Sequence, residues 1–150
     1  MSATVDDVTV RPIRESDLPE IVRIDCVAFG RPRPQYFEVL LLRSLKVTGL
    51  QISVVAEVDG RVAGYLMGSL YYGEYGIAEP AASIDAIGVD PELRRKRVGH
   101  ALMRDFISTA KSYAVTRIRT EVEWDDFDLL GFFAREGFEP ANRLCIERAI

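Results

Sequence analysis

The amino-acid sequence predicts a single α/β (α+β) domain in which helices flank a mixed β-sheet. Two β-rich runs are separated by Asp59-Gly60, a dipeptide that satisfies the positive φ values of a two-residue hairpin turn. A third apolar run ends at Val89 and is followed, after a short turn, by an apolar stripe at helical spacing. With 150 residues, 48% hydrophobic and 28% charged, the chain has the composition of one soluble globular domain covering residues 1–150.

The N-terminal part of the chain is predicted to form a strand followed by two helices. Thr9 to Ile13 is the expected first strand, and Ser16 to Glu20 is typical of a helix start with a polar cap, a proline and an acid in the first turn. That helix is expected to end at Phe29. The next residues, Arg31 to Pro34, form a proline-rich connector that cannot continue a helix, and a second apolar helix is expected from about Gln35 to Leu45.

Strands and helices are expected to alternate through the rest of the chain. The hairpin strands are predicted at Ile52 to Val58 and Arg61 to Leu70, and the next strand at Ser83 to Val89. Leu102, Phe106 and Ala110 then share one helical face. The predicted order continues with a strand from Thr116 to Glu123, a helix from about Asp126 to Arg135 that Gly137 caps in a left-handed conformation, and a final strand from about Arg143 to Arg148.

Charge and cysteine content argue against several classes of function. A formal net charge of -4 and a pI of about 5.1 argue against a nucleic-acid-binding protein, which normally has a basic excess. The two cysteines, Cys26 and Cys145, lack metal-ligand spacing, so no metal is expected. No apolar run reaches the roughly 20 residues that span a bilayer, and no targeting peptide is recognisable. We therefore expect a cytoplasmic protein without a membrane partner.

The most distinctive segment joins the strand ending at Val89 to the following helix through a basic turn. Four consecutive cations occupy this turn, namely Arg94, Arg95, Lys96 and Arg97. Free N–H groups at a helix N-terminus converge on an anion, and the helix dipole adds positive potential there. Gly99 is expected to let a ligand approach the backbone closely. The strand, turn and helix are therefore predicted to hold a pyrophosphate.

This segment resembles the acyl-CoA-binding motif of the GNAT superfamily of N-acetyltransferases, which in its commoner form runs V-x-P-x-x-R-G-x-G-[IV]-G-x-A-L. The positions that agree are Val89, Pro91, Arg94, Val98, Gly99, Ala101 and Leu102. Arg95 and Arg97 stand where the family most often has glycine. A side chain at Arg97 is compatible with the motif if its φ is negative and the side chain points outward, where it can reach a CoA phosphate.

The order of elements also resembles the GNAT fold over nearly the whole chain. That fold implies a mixed, mostly antiparallel sheet of about six to seven strands with flanking helices, in which two central strands splay apart to bind acyl-CoA. Here these would be the strand ending near Val89 and the strand from Thr116 to Glu123. The backbone of Ile87, Gly88 and Val89 would then pair with the pantetheine arm as another strand would.

The resemblance implies an acetyltransferase that moves an acetyl group from acetyl-CoA to a primary amine by direct attack in a ternary complex, without a metal. The acceptor stays open among a protein lysine, a protein N-terminus and a small-molecule amine, and members of the family often form homodimers. Besides the strand backbone, the residues expected to contact acetyl-CoA are Arg94, Arg95, Lys96, Arg97, Val98, Gly99, His100, Asp126 and Phe133. A non-catalytic acyl-CoA-binding module is the alternative function.

Two carboxylates are candidates for the base that deprotonates the amine, and Asp85 is the leading one. Asp85 lies in an otherwise apolar strand, four residues before Val89 and therefore on the same face. A buried carboxylate bonded to neighbouring backbone is an equally weighted interpretation of Asp85. Glu121 occupies the place of the glutamate in the family pattern L-E-V-R-x-x-N. Asp126 replaces the asparagine of that pattern, and capping the next helix is the simpler role for it.

When the thioester breaks, CoA leaves as a thiolate, and the family usually has a tyrosine that protonates it. This chain lacks that tyrosine at the expected position. In the pattern L-Y-x-x-x-G-F the tyrosine position is occupied by Phe133, which has no proton to give. Because a thiol has a pKa of about 8.5, its thiolate is a tolerable leaving group near neutral pH. Water, or one of Tyr71, Tyr72 and Tyr75, can substitute, but packing in a loop over the sheet is the favoured role for these tyrosines.

Acceptor recognition in this fold is expected from two loops, Phe29 to Tyr36 and Tyr71 to Pro80. The first has two arginines and two prolines, a rigid cationic edge that would attract an acidic acceptor. The second has Glu74 and Glu79, which would attract an amine. These charges point to different substrates, and the sequence does not choose between them.

Overall fold

The structure, a computed structural model, describes residues 7–46 and 52–150, excluding the side chains of residues 94–96. The strands are β1 (Thr9–Pro12), β2 (Val54–Val58), β3 (Arg61–Tyr72), β4 (Pro80–Val89) and β5 (Ile118–Arg119). The α-helices are α1 (Leu18–Phe29), α2 (Pro34–Lys46), α3 (Val98–Ser112) and α4 (Phe127–Arg135). A 3₁₀ helix, Pro91–Lys96, connects β4 to α3.

The strands of the described ranges form one sheet in the order β1-β2-β3-β4-β5. Consecutive strands from β1 to β4 are antiparallel, whereas β4 and β5 are parallel. The predicted hairpin joins β2 to β3, since Val58 faces Arg61 and the turn residues Asp59 and Gly60 have φ values of 51° and 74°. The hairpin and the α/β class, a mixed and mostly antiparallel sheet with flanking helices, are confirmed.

Two hydrophobic cores cover the two faces of the sheet. One lies between the sheet and the helices α3 and α4 and includes Leu66, Leu102 and Phe106, all fully buried. The other lies under α1 and α2 and includes Phe37 and Tyr65. Because successive strand residues point to opposite faces, the neighbours Tyr65 and Leu66 of β3 enter different cores. The sheet therefore separates an α1/α2 side from an α3/α4 side.

The helix ends follow the predicted signals. α1 ends where Gly30 adopts a φ of 92° and donates its N–H to the carbonyl oxygen of Cys26. α4 begins after Asp126, whose carboxylate accepts the N–H of Leu129 at 3.1 Å. Gly137 follows α4 with a φ of 89°, as predicted for its cap. Within the described ranges, no helix is long and apolar enough to cross a membrane.

The prediction of a final strand at residues 143–148 is wrong. This segment belongs to no strand, and its apolar residues Leu144 and Ile146 are each 88% exposed. A strand needs a partner edge for its backbone groups, and in the described chain β5 pairs with β4 alone. β5 is also shorter than predicted, covering Ile118–Arg119 instead of Thr116 to Glu123. The described sheet therefore has five strands rather than about six to seven.

β4 has an irregular register at Asp85. Met67 of β3 faces Ala86 and the next residue, Gly68, faces Ile84, so Asp85 has no partner residue on β3. An extra residue of this kind forms a β-bulge, which bends the strand and redirects a side chain. The bulge lies where β4 leaves β5, and it sets the orientation of the Asp85 carboxylate.

Candidate active site between the separating strands

β4 and β5 separate immediately after the two residue pairs that hydrogen-bond them. The last paired residues are Ser83 of β4 and Arg119 of β5. The Thr120 hydroxyl donates a hydrogen bond to the carbonyl oxygen of Ile84 at 3.0 Å and holds the strands together for one more step. No strand of the described chain covers the edge of β4 from residue 85 to residue 89. The two strands thus touch at one end only, as expected for splayed strands.

The free edge of β4 presents backbone groups at alternate residues. Asp90 donates its N–H to the carbonyl oxygen of Ala63 in β3 at 2.7 Å. Because an antiparallel strand directs its hydrogen bonds to alternate sides, the N–H and C=O groups of Val89 and Ile87 point away from β3 and into the gap. Gly88 lies between them and turns its backbone toward β3. Of the three predicted backbone contacts with the pantetheine arm, the geometry favours Ile87 and Val89.

A pocket of about 160 Å³ opens at the point where the strands diverge. The side chains that line the pocket come from both faces of the sheet. The pocket therefore passes through the gap between β4 and β5 and does not lie on one face of the sheet alone. The residues that line it are Asp25, Arg33, Tyr36, Tyr65, Ile84, Asp85, Ala86, Ile87, Thr120, Glu121, Leu129 and Phe133. Both predicted catalytic carboxylates are therefore in one pocket.

The Asp85 carboxylate is held by two serine hydroxyls. Ser69 of β3 donates to one carboxylate oxygen at 2.6 Å, and Ser83 of β4 donates to the other at 2.8 Å. The Tyr36 hydroxyl is 3.4 Å from the Asp85 carbonyl oxygen, to which it donates. The partners of the Asp85 carboxylate are thus side chains and not neighbouring backbone groups.

Glu121 lies across the gap from Asp85, two residues after the end of β5. It is exposed and lines the pocket from the β5 side. The Cys145 thiol lies near it, and the negative charge of Glu121 raises the pKa of that thiol. Since the carboxylate reaches both the pocket and solvent, Glu121 is placed to pass a proton from the pocket to water.

An ion pair closes the pocket on the α1/α2 side. Arg33 donates to both carboxylate oxygens of Asp25, at 2.6 and 2.9 Å. Its guanidinium also lies over the Phe29 and Tyr36 rings, at 3.7 and 4.7 Å from their centroids. The expectation of a free cationic edge in this connector is wrong for Arg33, because its charge is neutralised by Asp25 and covered by aromatic rings.

Sequence reasoning does not single out Asp25 or Tyr65 as site residues. For Asp25 a signal exists, because it shares the buried face of α1 with Ile21 and Ile24, at helical spacing. A carboxylate on such a face needs a partner. Tyr65 carries no comparable signal, since an aromatic residue in a buried strand is ordinary core composition.

The turn after β4 is organised by Asp90, which is 3% exposed. Its carboxylate accepts the N–H of Glu92 at 3.0 Å and caps the 3₁₀ helix. Arg23 of α1 donates to the same carboxylate at 3.1 Å and ties the turn to the opposite face of the sheet. The side chains of Arg94, Arg95 and Lys96, predicted to contact CoA, lie outside the described residues.

Arg97 adopts a left-handed conformation, with a φ of 58° and a ψ of 32°. Of the two conditions given above for a side chain at this position, the negative φ is not met. Arg97 is both the last cap of the 3₁₀ helix and the first cap of α3. The backbone changes direction between these two helices, and a left-handed residue makes that change. A left-handed residue here explains why glycine would suit the position. The side chain is exposed, as a contact with an outer phosphate requires.

We predict that Arg97→Gly stabilises the protein relative to Arg97→Ala. Both variants remove the guanidinium, but only glycine relieves the left-handed conformation, which costs other residues about 1 to 2 kcal/mol. After allowance for the greater unfolded-state entropy of glycine, the difference in unfolding free energy should be about 1 kcal/mol in urea titrations. Equal stability of the two variants would contradict the left-handed geometry of Arg97.

The first turn of α3 packs against α4. A Cβ on Gly99 would lie 2.9 Å from the Phe132 ring, so the absence of a side chain serves the contact between these helices. Val98 is fully buried, and only its backbone remains available to a ligand. The His100 ring pairs through Nδ1 with Glu136, 2.9 Å away, at the far end of α4. Contact of these α3 residues with CoA stays a prediction.

Two predicted CoA contacts belong to the α4 region, Asp126 immediately before the helix and Phe133 within it. Asp126 caps the helix, so the simpler of its two expected roles is confirmed. Phe133 is 4% exposed and lines the pocket, where a hydroxyl would have lain at the tyrosine position of the motif. Tyr71, Tyr72 and Tyr75, considered as replacement donors, do not line this pocket, and Tyr72 and Tyr75 are mostly exposed. They lie in and beyond the end of β3.

Comparison with known proteins agrees with this geometry. Residues 18–138 match the acetyltransferase (GNAT) family. An N-alpha-acetyltransferase of Sulfurisphaera tokodaii is 26% identical over 141 residues, which cover 90% of this chain and 82% of that protein. Ard1 from Thermoplasma volcanium superposes with a TM-score of 0.73 at 27% identity, covering 88% of this chain and 82% of that one.

A more distant structure shows the same fold. The aminoglycoside N-acetyltransferase AAC(6')-Iy, solved in complex with CoA, superposes with a TM-score of 0.79 at 16% identity and covers 95% of each chain. The alternative of a non-catalytic acyl-CoA-binding module finds no support in these relatives. Since the family match extends over more than half of the sequence and includes the pocket and the basic turn, the protein belongs to the acetyltransferase (GNAT) family and is an acetyl-CoA-dependent N-acetyltransferase.

Proposed function

We propose that this N-acetyltransferase acts on the α-amino group of a protein or peptide chain. The observation that carries the proposal is the small pocket in which Asp85 and Glu121 face each other across the gap. Its volume of about 160 Å³ corresponds to roughly five water molecules, which suits an amino group and the atoms next to it. The relative from Sulfurisphaera tokodaii, an N-alpha-acetyltransferase, supports the same acceptor.

An α-amino group is also easier than a lysine amine for the carboxylates of the pocket to deprotonate. Its pKa of about 7.7 to 8.0 lies well below the value of about 10.4 for a lysine amine, so its neutral fraction at neutral pH is roughly 300-fold larger. A carboxylate can complete that deprotonation directly or through one water molecule. We assign this step to Glu121, because both Asp85 oxygens already accept serine hydroxyls. Asp85 is then a fixed charge that attracts and orients the protonated amine.

Acetyl-CoA supplies the acetyl group as a thioester, and the residues of the gap fit its parts. The free-edge N–H and C=O groups of Ile87 and Val89 match the amides of the pantetheine arm as a further strand would. The first turn of α3 offers N–H groups to the diphosphate, with the exposed Arg97 beside it. Arg94, Arg95 and Lys96 stay predicted contacts of the outer phosphates.

We further place the reaction in the cytoplasm. Cys26 and Cys145 are free thiols, and Cys145 is exposed. Exposed free thiols suit a compartment that keeps cysteines reduced.

The acceptor is tested by following thiol release from acetyl-CoA with matched acceptors. One peptide has a free N-terminus and no lysine, a second has the same length with a blocked N-terminus and one lysine, and an aminoglycoside serves as the small amine. We expect kcat/KM for the first peptide to exceed the other two by about 100-fold. A faster reaction with the lysine peptide or the aminoglycoside would contradict the proposed acceptor and leave the family assignment intact.

A further inference from the structure

Tyr65 carries a hydroxyl that opens onto the pocket between β4 and β5. It lies in β3, is 1% exposed, and lines the pocket between β4 and β5. Its hydroxyl makes no hydrogen bond to any residue that the structure describes, although the other pocket hydroxyls, those of Tyr36 and Thr120, are both engaged. No buried side-chain atom of the described residues lacks a hydrogen-bond partner, so this unbonded hydroxyl is open to the pocket and available to donate to a ligand there.

Tyr65 lies directly beside the free edge of β4. It faces Gly88 across the β3–β4 ladder, and a Cβ on Gly88 would lie 2.6 Å from its ring and 2.8 Å from its hydroxyl oxygen. The ring therefore occupies the space that a side chain at position 88 would fill. Edge-to-face packing on Phe37, with ring centroids 5.6 Å apart, fixes it there. The hydroxyl is thus held next to the edge assigned above to the thioester arm.

We propose that the Tyr65 hydroxyl is a catalytic hydrogen-bond donor to the CoA sulfur as the thioester breaks. This role would supply, from β3, the donor that Phe133 lacks on α4. Both residues line the same pocket, and its small volume places one reacting group within reach of both walls. The inference rests on the proposed function for the presence of the thioester, but not on the identity of the acceptor.

The step balances without a further reagent. The amine nitrogen forms a bond to the carbonyl carbon, and its surplus proton passes to Glu121 and on to solvent. The bond between carbon and sulfur then breaks, and its electron pair stays on sulfur as a thiolate. The hydroxyl of Tyr65 donates a hydrogen bond to that sulfur and keeps its own proton. Charge-assisted hydrogen bonds of this kind are stronger than neutral ones, so the bond favours the products of cleavage.

Tyr65 is suited to donate a hydrogen bond and not a proton. Burial raises the pKa of its phenol, and the charge of Asp25 raises it further, well above the ordinary value. A thiolate whose conjugate acid has a pKa of about 8.5 is too weak a base to remove a proton from such a phenol. The hydroxyl therefore stays protonated throughout the reaction.

The test measures the pKa of the CoA thiol in its complex with the protein, followed by the ultraviolet absorbance of the thiolate as pH is varied. We expect that pKa to lie below the value for free CoA in the wild-type complex, and to rise by about one unit in Tyr65→Phe. Phenylalanine keeps the ring and removes only the hydroxyl. Tyr113→Phe, at an exposed tyrosine that follows α3 and lies outside the pocket, is the matched control and should match the wild type.

Turnover supplies a second readout that a packing role would not change. In Tyr65→Phe we expect kcat to fall about 30-fold while KM for acetyl-CoA stays within about twofold, because the hydrogen bond forms mainly as charge develops on sulfur. Thermal unfolding and CoA affinity close to wild type confirm that the variant is folded.

Three results would overturn the proposal. These are an unchanged thiol pKa in Tyr65→Phe, a wild-type complex in which the thiol pKa is not lowered, and an equal loss of kcat in Tyr113→Phe. The second uses no variant, so it decides the question even if Tyr65→Phe does not fold. A failure of wild-type protein to bind CoA would overturn the proposed function as well, whereas inactivity toward peptides alone would not affect the thiol measurement.

Discussion

Replacing Glu121 with glutamine is expected to lower kcat by about 100-fold or more, because an amide cannot accept the proton that the attacking amine must lose. Acetyl-CoA affinity should be unchanged, since Glu121 lines the pocket proposed for the acceptor amine, across the gap from Asp85. Steady-state kinetics with a saturating peptide and calorimetric titration of CoA measure the two quantities separately.

Asp85→Asn is the matched variant across the gap. Asparagine keeps the shape of the side chain, and the hydroxyls of Ser69 and Ser83 can still donate to its oxygen or accept from its amide group. Because Asp85 is assigned to orientation and not to proton transfer, its loss should appear mainly as a higher KM for the acceptor, with kcat reduced less than about tenfold. A larger loss of kcat in Asp85→Asn than in Glu121→Gln would reverse the two roles.

The pH dependence distinguishes these roles independently. A general base works only when deprotonated, so the wild-type rate should fall as pH decreases and the carboxylate gains its proton. In Glu121→Gln that dependence should disappear, and only the titration of the acceptor α-amine, near a pKa of about 7.7 to 8.0, should remain. An unchanged profile in both variants would exclude both carboxylates as the base.

Gly68→Ala is expected to lower the free energy of unfolding by about 3 kcal/mol. A Cβ at this position would lie 2.5 Å from two carbons of the Phe106 ring and 2.5 Å from the carbonyl oxygen of Ser83. Phe106 is fully buried in the core under α3, and the Ser83 oxygen belongs to the backbone of β4, so neither can move without displacing its neighbours. Urea titration gives the change directly.

The control for this variant is Gly131→Ala in α4. The nearest atom to its added Cβ is the Arg135 Nη1, 3.3 Å away at the end of a flexible side chain, and alanine is the better helix former by about 1 kcal/mol. Gly131→Ala should therefore be neutral or stabilising. If Gly68→Ala were as stable as Gly131→Ala, the close approach of α3 to the β3–β4 bulge would be incorrect. Because Ser83 also holds Asp85, Gly68→Ala should raise KM for the acceptor as well.

Local turn chemistry and periodicity predicted most of the fold. The hairpin at Asp59-Gly60, the start of α4 at Asp126 and the strand that ends at Val89 each depend on a few neighbouring residues, which sequence patterns report well. The segment from Arg143 to Arg148 alternates as a strand does, but alternation describes the two faces of a segment and not the presence of a partner edge. For that reason the pattern alone did not predict its unpaired state.

Sequence analysis could predict those site residues that depart from the apolar pattern of their strand or helix, or that match a family motif. Asp85 interrupts an apolar strand, and Glu121 fits a family motif, and the structure brings both to one pocket. The Asp25–Arg33 pair depends on how the chain turns between α1 and α2, and the left-handed geometry of Arg97 depends on the junction of two helices. Tyr65 is an ordinary residue for a buried strand, so the sequence gives no sign that its hydroxyl lines the pocket. Only the three-dimensional structure shows it.

The position of the transferred acetyl group is the chemical outcome that most directly tests transfer to an α-amino group with Glu121 as the base. The most direct measurement uses a peptide with both a free N-terminus and a lysine, incubated with acetyl-CoA and the protein and then analysed by tandem mass spectrometry. We expect an acetyl group on the α-nitrogen, absent from the same reaction with Glu121→Gln over the same time. Acetylation of the lysine alone, or equal labelling by wild type and Glu121→Gln, would contradict it.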